Sequence, residues 1–252
     1  MNSNARNLIV KVPAITLGFW IIKILATTLG ETGGDAVSMS MNLGYLVATA
    51  IFMVIFVAAV GAQIKAQKYH AALYWFTIVA STTVGTTLAD FATRSLGIGY
   101  AGGSALLLGL LVTCIFTWYR TLGTVSVASI STPKAESFYW LTIMFSQTLG
   151  TALGDWTADT QGLGYLGAAA IFGGLLLVLV ALHFLTKVSK TTLFWVAFVL
   201  TRPLGAVVGD FLDKPLAHGG LALSRYTASI VLLAAMVLLI AILPRRAAET
   251  TH

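Results

Sequence analysis

Four aspartates recur at a fixed place in this sequence, and their chemistry suits the binding of a cation. Asp35, Asp90, Asp155 and Asp210 each follow a Trp by fifteen residues, with a Gly five residues before the Asp. Carboxylate oxygens are the ligands that hard ions such as Mg²⁺, Ca²⁺ and Mn²⁺ prefer in proteins. Carboxylates at the mouth of a pathway also concentrate cations by focusing the local field. The repeated aspartates therefore predict a site for a small hard cation.

A polar stripe precedes each aspartate. At about 100° per residue, the positions four, seven and eight residues before the Asp lie on nearly the same helical face. In chain order they hold Thr27, Thr28 and Glu31; Thr82, Thr83 and Thr86; Gln147, Thr148 and Thr151; and Arg202, Pro203 and Ala206. Hydroxyls and carboxylates do not face lipid without cost, so the stripe should face a bundle interior or water.

Two basic residues inside apolar segments complicate a purely acidic site. Lys23 and Arg202 both lie where an unpaired charge costs at least about 2.5 kcal/mol. Pairing with Glu31 or a repeat aspartate would explain them, and it would keep those carboxylates ionised. Two functional alternatives stay open: an internal cation that a substrate cation displaces, and an anchor for an anionic substrate.

These patterns define the candidate site. The candidate metal ligands are Asp35, Asp90, Asp155, Asp210 and Glu31. The candidate substrate-binding residues are these five together with Thr28, Thr83, Thr86, Gln147, Thr148, Thr151, Arg202 and Lys23. A more conservative interpretation is that the aspartates are solvated at the membrane interface or cap the following turn. Single threonines in membrane helices often bond to their own backbone.

The elements that position these residues are apolar helices. Hydrophobic residues make up 58% of the chain and charged residues only 10%, and the mean hydropathy is +0.89. This composition indicates a membrane protein, in which backbone groups must be paired within helices. We predict eight spans, approximately at residues 8–30, 43–63, 70–90, 98–119, 136–155, 163–186, 191–210 and 226–244. Each is about 20 residues long, enough to cross a bilayer.

The spacing of the motif divides the chain into four repeats. The Trp residues of the four motif copies, Trp20, Trp75, Trp140 and Trp195, are separated by 55, 65 and 55 residues, which suggests a duplicated duplication. The repeats cover approximately residues 8–65, 68–120, 134–187 and 190–246 of a single integral membrane domain, 1–252. Short outer connections predict that each repeat is a tight antiparallel hairpin. The sequence thus predicts an all-α membrane protein of eight transmembrane helices, built as four parallel-topology hairpins around a pseudo-symmetry axis along the membrane normal.

Small residues within the motif predict close contacts between helices. The small-xxx-small pairs are Gly30 and Gly34, Gly85 and Ala89, Gly150 and Gly154, and Gly205 and Gly209. Such pairs let helix backbones approach one another in lipid. Their recurrence in register with the aspartate predicts one packing geometry that is shared by all four repeats.

The basic residues predict the orientation of the bundle. Ten of them fall on one side of an eight-span arrangement: Arg6, Lys11, Lys65, Lys68, Arg120, Lys134, Lys187, Lys190, Arg245 and Arg246. Only Arg94, Lys214 and Arg225 fall on the other side. The positive-inside rule then places both termini in the cytoplasm and the repeat aspartates at the outer ends of their spans. The net charge of +6 is mostly this topology signal, and no nucleic-acid partner is predicted.

Other residues have simpler explanations. Arg94, Asp159, Asp213 and Lys214 are typical of loop charges. The four Trp residues fit an aromatic belt at the cytoplasmic interface, although their helical phase near the polar stripe leaves an inner constriction as the alternative.

The four-fold motif resembles a family of bacterial membrane proteins with four tandem repeats, each with two transmembrane segments and a characteristic Trp, usually described as uncharacterised membrane-anchored proteins. The resemblance extends from Trp20 to Tyr226 and includes the Gly-Tyr pairs that begin at Gly44, Gly99 and Gly164. It implies the fold and a bacterial inner-membrane location, but no catalytic residue. The fourth repeat departs from the pattern at Arg202, Pro203 and Ala206, and its Tyr226 comes later.

The functional expectation is a transporter of a small hard cation, first of all Mn²⁺, with export as the first direction to test. Small inorganic cations and the lipid bilayer are the expected partners, and a homo-oligomer stays open. No enzymatic activity and no cofactor are predicted, since the chain lacks a nucleophile elbow, an HExxH motif and a nucleotide-binding loop. The alternatives are a noncatalytic assembly or sensor protein and a small-anion transporter that uses Arg202 and Lys23.

Overall fold

The computed structural model describes residues 10–244 and 246–248, and these residues form eight α-helices and no β-strand. The helices are α1 Leu17–Asp35, α2 Gly44–Lys65, α3 Ala71–Asp90, α4 Gly99–Leu122, α5 Pro133–Asp155, α6 Gly164–Leu185, α7 Lys190–Asp213 and α8 Arg225–Ile242. The all-α class is thus confirmed. Arg6 and Arg245, which contribute to the predicted orientation, lie outside the described residues, as do both ends of the predicted domain.

The odd-numbered helices form a closed inner ring. Helix α1 packs against α3 and α7, and α5 packs against the same two helices from the opposite side. The even-numbered helices lie outside this ring, α2 on α3, α4 on α5, α6 on α7 and α8 on α1. The second helix of each repeat therefore covers the first helix of the next repeat, and the fourth repeat covers the first.

This arrangement corrects the prediction of tight hairpins. The main contacts of α2 are with α3 rather than with α1, its partner in the same repeat. In the first three repeats, a five-residue π-helical turn and a glycine with positive φ separate the two helices, so that the second helix packs on the next repeat. The turns are Ala36–Ser40, Phe91–Ser95 and Trp156–Thr160. The small-residue face of each odd-numbered helix is used within the inner ring instead.

Glycine faces close the inner ring. In every repeat the glycine five residues before the Asp meets a side chain of the next repeat, eight residues before that repeat's own Asp. The pairs are Gly30 with Thr82, Gly85 with Gln147, Gly150 with Arg202 and Gly205 with Thr27. A Cβ on Gly85 would lie 2.8 Å from the carbonyl carbon of Gln147, so a larger residue would push the helices apart. The predicted close packing of the small-residue pairs is confirmed.

The glycines of the Gly-Tyr pairs have a different role. Gly44, Gly99 and Gly164 begin α2, α4 and α6 with φ angles of +75°, +71° and +65°, and a Cβ at any of them would meet nothing within 4 Å. The left-handed backbone, not a lack of space, requires glycine here, because other residues adopt this conformation at a cost of roughly 1 kcal/mol.

Aromatic side chains fill the end of the inner ring that lies opposite the repeat aspartates. The Trp of each motif copy contacts the aromatic residue that precedes the motif Trp of the previous repeat, and the first repeat follows the fourth around the ring. The centroid distances are 5.4 Å for Phe19–Trp75, 5.6 Å for Tyr74–Trp140, 6.0 Å for Tyr139–Trp195 and 5.7 Å for Phe194–Trp20. Trp75, Trp140 and Trp195 are buried and Trp20 is half-buried. This ring of packed aromatic side chains favours a constriction inside the bundle over an aromatic belt, because the side chains of a belt would face outward.

The first helix begins later than the predicted first span. Helix α1 starts at Leu17, where the Thr16 side chain caps it, rather than at residue 8. Residues 10–16 are not helical, and Pro13 pairs with Ala247 in an antiparallel bridge. Val10 and Val12 are buried in the cluster that contains these aromatic residues, so the segments around Pro13 and Ala247 cover this end of the bundle.

Six helices in the described part of the chain are long and apolar enough to cross a membrane, by length and composition, rather than the eight that were predicted. The two others are α1 and α5. Both belong to the inner ring and bury polar side chains such as Lys23, Glu31 and Gln147, which lower their hydropathy. Shielding by neighbouring helices removes the need for apolar residues on these faces.

Candidate functional site

The four repeat aspartates converge at one end of the inner ring. Asp35, Asp90 and Asp155 are the last residues of α1, α3 and α5, and Asp210 lies three residues before the end of α7. All four are buried, with at most 4% of their surface exposed. Because the inner ring aligns equivalent positions, four residues that are far apart in sequence form one acidic layer.

Arg94 neutralises one half of the acidic layer. Its Nε lies 2.9 Å from Oδ1 of Asp90, and its Nη2 donates a hydrogen bond of 3.1 Å to Oδ2 of Asp155. The guanidinium therefore bridges the second and third repeats. Because the two carboxylates are held by different nitrogens of one planar group, the geometry of this half is fixed.

Lys214 neutralises the other half. Its Nζ donates a hydrogen bond to Oδ2 of Asp35 and lies 3.0 Å from Oδ1 of Asp210 and 3.9 Å from Oδ1 of Asp213. Burial lowers the pKa of Lys214, but the carboxylates of Asp210, Asp35 and Asp213 outweigh burial and hold this pKa above its usual value. Arg225 adds a second cation, 3.0 Å from Oδ2 of Asp213. Lys214 is therefore a charged ammonium group between three carboxylates.

Glu31 joins this half of the layer. Carboxylate oxygens of Glu31, Asp35 and Asp210 all lie within 4.8 Å of one another, a spacing that one metal ion could bridge. Oδ1 of Asp35 is buried and has no hydrogen-bond partner within the described residues. Three carboxylates, one with an unpaired buried oxygen, form an all-oxygen donor set of the kind that hard cations prefer. Asp90 and Asp155, the other two candidate ligands, belong to the Arg94 half.

Arg202 lies beneath the acidic layer and contacts the other three repeats. Its Nη2 donates hydrogen bonds to Oε2 of Glu31 at 2.9 Å, to Oγ1 of Thr86 at 2.6 Å and to Oγ1 of Thr151 at 2.5 Å. These three acceptors occupy the same motif position, four residues before the Asp. The side chain is fully buried. The predicted pairing of Arg202 with Glu31 is confirmed, and it places the guanidinium on the axis of the inner ring.

The same prediction is wrong for Lys23, which was expected to pair with Glu31 or a repeat aspartate. Its Nζ lies 3.4 Å from the Thr201 hydroxyl and 4.0 Å from the centre of the Phe198 ring. Within the described part of the chain, no carboxylate forms an ion pair with it. The side chain is fully buried. Lys23 lies twelve residues before Asp35, about 18 Å along the helix, which is too far from the acidic layer for direct pairing.

The remaining stripe residues divide into two groups. Thr28, Thr83 and Thr148 are buried, and each hydroxyl donates to the backbone of its own helix. This is the conservative interpretation of membrane threonines, and nothing in their contacts indicates a ligand role. Gln147 is fully buried, and neither end of its amide has a hydrogen-bond partner among the described residues. Two guanidinium nitrogens of Arg202, Nε and Nη1, are likewise unpaired.

A cavity of about 430 Å³ lies beside the acidic layer, at the end of the bundle that carries the π-helical turns. It is lined by Met39, Arg94, Asp159, Tyr165, Asp210, Lys214, His218 and Arg225. The cavity thus contacts both cations that bridge the aspartates, and it connects the acidic layer with the outer turns.

Sequence reasoning missed part of this site. Arg94, Asp213 and Lys214 were interpreted as loop charges, yet all three belong to the ion-pair network. Their spacing carried a signal: Arg94 and Lys214 each follow their repeat's Asp by four residues, in the second and fourth repeats only. The same position holds Met39 in the first repeat and the exposed Asp159 in the third.

Fold and site together define a class: an all-helical bundle of four tandem repeats that place equivalent acidic residues in one buried layer. Four tandem segments, 18–69, 73–124, 138–189 and 193–248, match the family described as "Repeat of Unknown Function (DUF347)". The chain belongs to this family, and the four-repeat organisation read from the sequence is confirmed. No curated protein and no solved structure matches the chain.

Proposed function

We propose that the protein is a membrane transporter of a small hard cation, with Mn²⁺ as the first candidate and export as the first direction to test. The observation that carries this proposal is the buried acidic layer, in which Glu31, Asp35 and Asp210 bring carboxylate oxygens within 4.8 Å of one another. Divalent cations with all-oxygen coordination suit such a donor set. No cysteine or histidine belongs to this group of three, which disfavours Cu⁺ and Zn²⁺.

The proposal includes a membrane orientation. The six apolar helices support insertion into a bilayer. The basic residues near the aromatic end of the bundle favour a cytoplasmic location for that end and for both termini. The four repeats would then have parallel topology around an axis along the membrane normal. The resemblance to bacterial membrane-anchored proteins adds the inner membrane of a bacterium as the location.

In this proposal the inner ring is the pathway. Cations would enter or leave through the outer cavity next to Asp210, and the acidic layer would bind them. Below it, Arg202 occupies the axis and the aromatic ring closes the inner end. A transport cycle would have to move Arg202 and separate the aromatic side chains that close the pathway. This requirement fits a carrier with alternating access better than an open channel.

A second candidate function is the transport of a small anion. Its specific support is that Lys23 is buried without a carboxylate partner in the described chain, while Nε and Nη1 of Arg202 are buried and unpaired. A buried ammonium group without a carboxylate partner and unused guanidinium N–H groups favour an anion, since a charge in a low-dielectric interior is costly. Anion transport would depend on Lys23 and Arg202 and would not need the four aspartates.

Replacement of the aspartates tests the cation proposal. We expect Asp35→Asn and Asp155→Asn to abolish Mn²⁺ flux in proteoliposomes and to remove any effect of the protein on the cellular contents of Mn, Mg, Ca, Fe, Co and Ni. Gln161→Ala is the control, because Gln161 is exposed beside the turn Trp156–Thr160 and does not line the cavity, so flux should be unchanged. Size-exclusion profiles verify that each variant is folded. Unchanged flux in both variants would overturn the proposal, and loss of folded protein with no metal phenotype in the wild type would favour a structural role.

A further inference from the structure

We infer that Lys214 is a tethered counter-ion that occupies the cation site until a substrate cation displaces it. The inference rests on the proposed function and deepens it, because it assigns the exchange step to one side chain. The half of the acidic layer made by Asp35 and Asp210 is then the half in which the ammonium group exchanges with a substrate cation. The inference also identifies the ligand chemistry as a compact cation that competes with an ammonium group.

The position of the ammonium group is the first argument. Two of the three residues that could hold a metal ion, Asp35 and Asp210, are the ones that Lys214 contacts most closely. The Nζ therefore lies where an ion bridging these carboxylates would lie. Lysine presents a compact point charge with three donors, so it can substitute for a small ion in such a position. Oδ1 of Asp35 is buried and unpaired in the described structure, which leaves a ligand oxygen that the ammonium group does not use.

Charge balance is the second argument. This half of the layer contains four carboxylates, Glu31, Asp35, Asp210 and Asp213, and three cations, Arg202, Lys214 and Arg225, so its net charge is −1 with Lys214 present and −2 after Lys214 leaves. A divalent cation that entered while the ammonium group remained would meet strong repulsion at distances of a few ångströms. Binding of the divalent cation and departure of the Lys214 ammonium group are therefore coupled.

The surroundings of Lys214 provide a place for it to go. Lys214 follows the last residue of α7 and precedes Pro215, so it lies outside the helix, in the extended fourth connection. It lines the outer cavity, and Asp159 lies in that same cavity with an exposed carboxylate. A displaced ammonium group could thus move from the buried aspartates towards Asp159 and water without a change in the helices.

The other half of the layer shows the contrast. Arg94 occupies the same motif position in the second repeat, but it lies within the helical turn Phe91–Ser95 and contacts Asp90 and Asp155 through two different nitrogens. A planar group held at two points is harder to displace than one ammonium group on a flexible chain. The duplicated repeat has therefore kept one fixed bridge and one exchangeable bridge.

Removal of the tethered charge tests this inference. We expect Lys214→Met to bind Mn²⁺ on the order of tenfold more tightly than the wild type, the effect of one neighbouring charge on a carboxylate site. Lys214→Arg retains the charge and should not bind Mn²⁺ more tightly than the wild type. Affinity is measured by calorimetry on the full chain in detergent.

A second readout follows Lys214 itself. In the wild type, Mn²⁺ should increase the rate at which an amine-acylating reagent modifies Lys214, measured by peptide mass spectrometry. Exposed Lys187 should react at the same rate with and without Mn²⁺. Unlike a loss of folding, this change reports release of the side chain.

The outcomes separate the two proposals. Mn²⁺ binding that depends on Asp35, with no gain in Lys214→Met and no change in acylation, would overturn the tethered counter-ion and leave the cation transporter intact. Absence of Mn²⁺ binding and flux in the wild type and in both Lys214 variants would overturn the transporter, and the counter-ion with it. Tighter binding in Lys214→Met together with faster acylation of the wild type would support both.

Discussion

At the scale of single residues, the pair formed by Arg202 and Glu31 dominates the interior. Both side chains are buried, and the guanidinium also takes Thr86 and Thr151 as acceptors. The transfer of two charges into a bundle interior is costly, and their attraction compensates only while both are present. Arg202 thus links its own repeat to the other three, and the pair stabilises the fold only while both charges are present.

This leads to a prediction for stability. We expect Arg202→Met and Glu31→Met each to reduce the free energy of unfolding by about 3–5 kcal/mol, because each leaves one buried charge unpaired. The double variant should lose clearly less than the sum of the two single variants. Denaturant unfolding of the full chain in detergent measures all three. Additive losses would mean that the two groups do not interact energetically.

At the scale of helices, the structure assigns different roles to the two members of each repeat. The odd-numbered helices bury polar residues and pack through glycine, whereas the even-numbered helices are apolar and mostly exposed on the outside of the bundle. The odd-numbered helices carry the four repeat aspartates, Glu31 and Arg202. The even-numbered helices shield them and join consecutive repeats.

Glycine variants test this division. We expect Gly85→Ala to lower the free energy of unfolding by about 1–3 kcal/mol, since the added methyl group would meet the backbone of Gln147 at the α3–α5 contact. Gly109→Ala in α4 is the matched control: its Cβ would meet nothing within 4 Å, and alanine favours a helix by roughly 1 kcal/mol. Equal effects of the two variants on thermal unfolding would argue against glycine-mediated contacts in the inner ring.

At the scale of the whole molecule, two described segments that are distant in sequence, around Pro13 and Ala247, meet and complete the bundle. Helix α8 packs on α1, and the segments around Pro13 and Ala247 pair beneath the aromatic ring. Lys11 anchors this seal: its Nζ donates to the carbonyl of Gln63 at 2.8 Å and lies 2.6 Å from Oε1 of Glu136. This end of the bundle is thus closed by aromatic packing and by the segments around Pro13 and Ala247, while the end with the acidic layer has a polar cavity.

The orientation of this closed bundle can be tested directly. In a Cys114→Ser background, we expect Gln161→Cys to react with a membrane-impermeant maleimide in intact cells, because it lies on an exposed outer turn. Lys68→Cys, exposed at the opposite end, should react only after the cells are permeabilised. The reverse pattern would place the acidic layer on the cytoplasmic side and would invert the proposed direction of cation entry.

The sequence by itself determined the repeats, the all-α class and the residue types at each motif position, because a fixed spacing of Trp, Gly and Asp is a local pattern that needs no partner. It also predicted that the glycine pairs make close contacts. Only the tertiary structure decided which helices meet, because short connections do not reveal that α2 turns away from α1 to pack on α3. The ion pairs of Arg94 and Lys214 depend on that choice: each bridges aspartates of two different repeats, and a distance between repeats is not encoded in any local spacing.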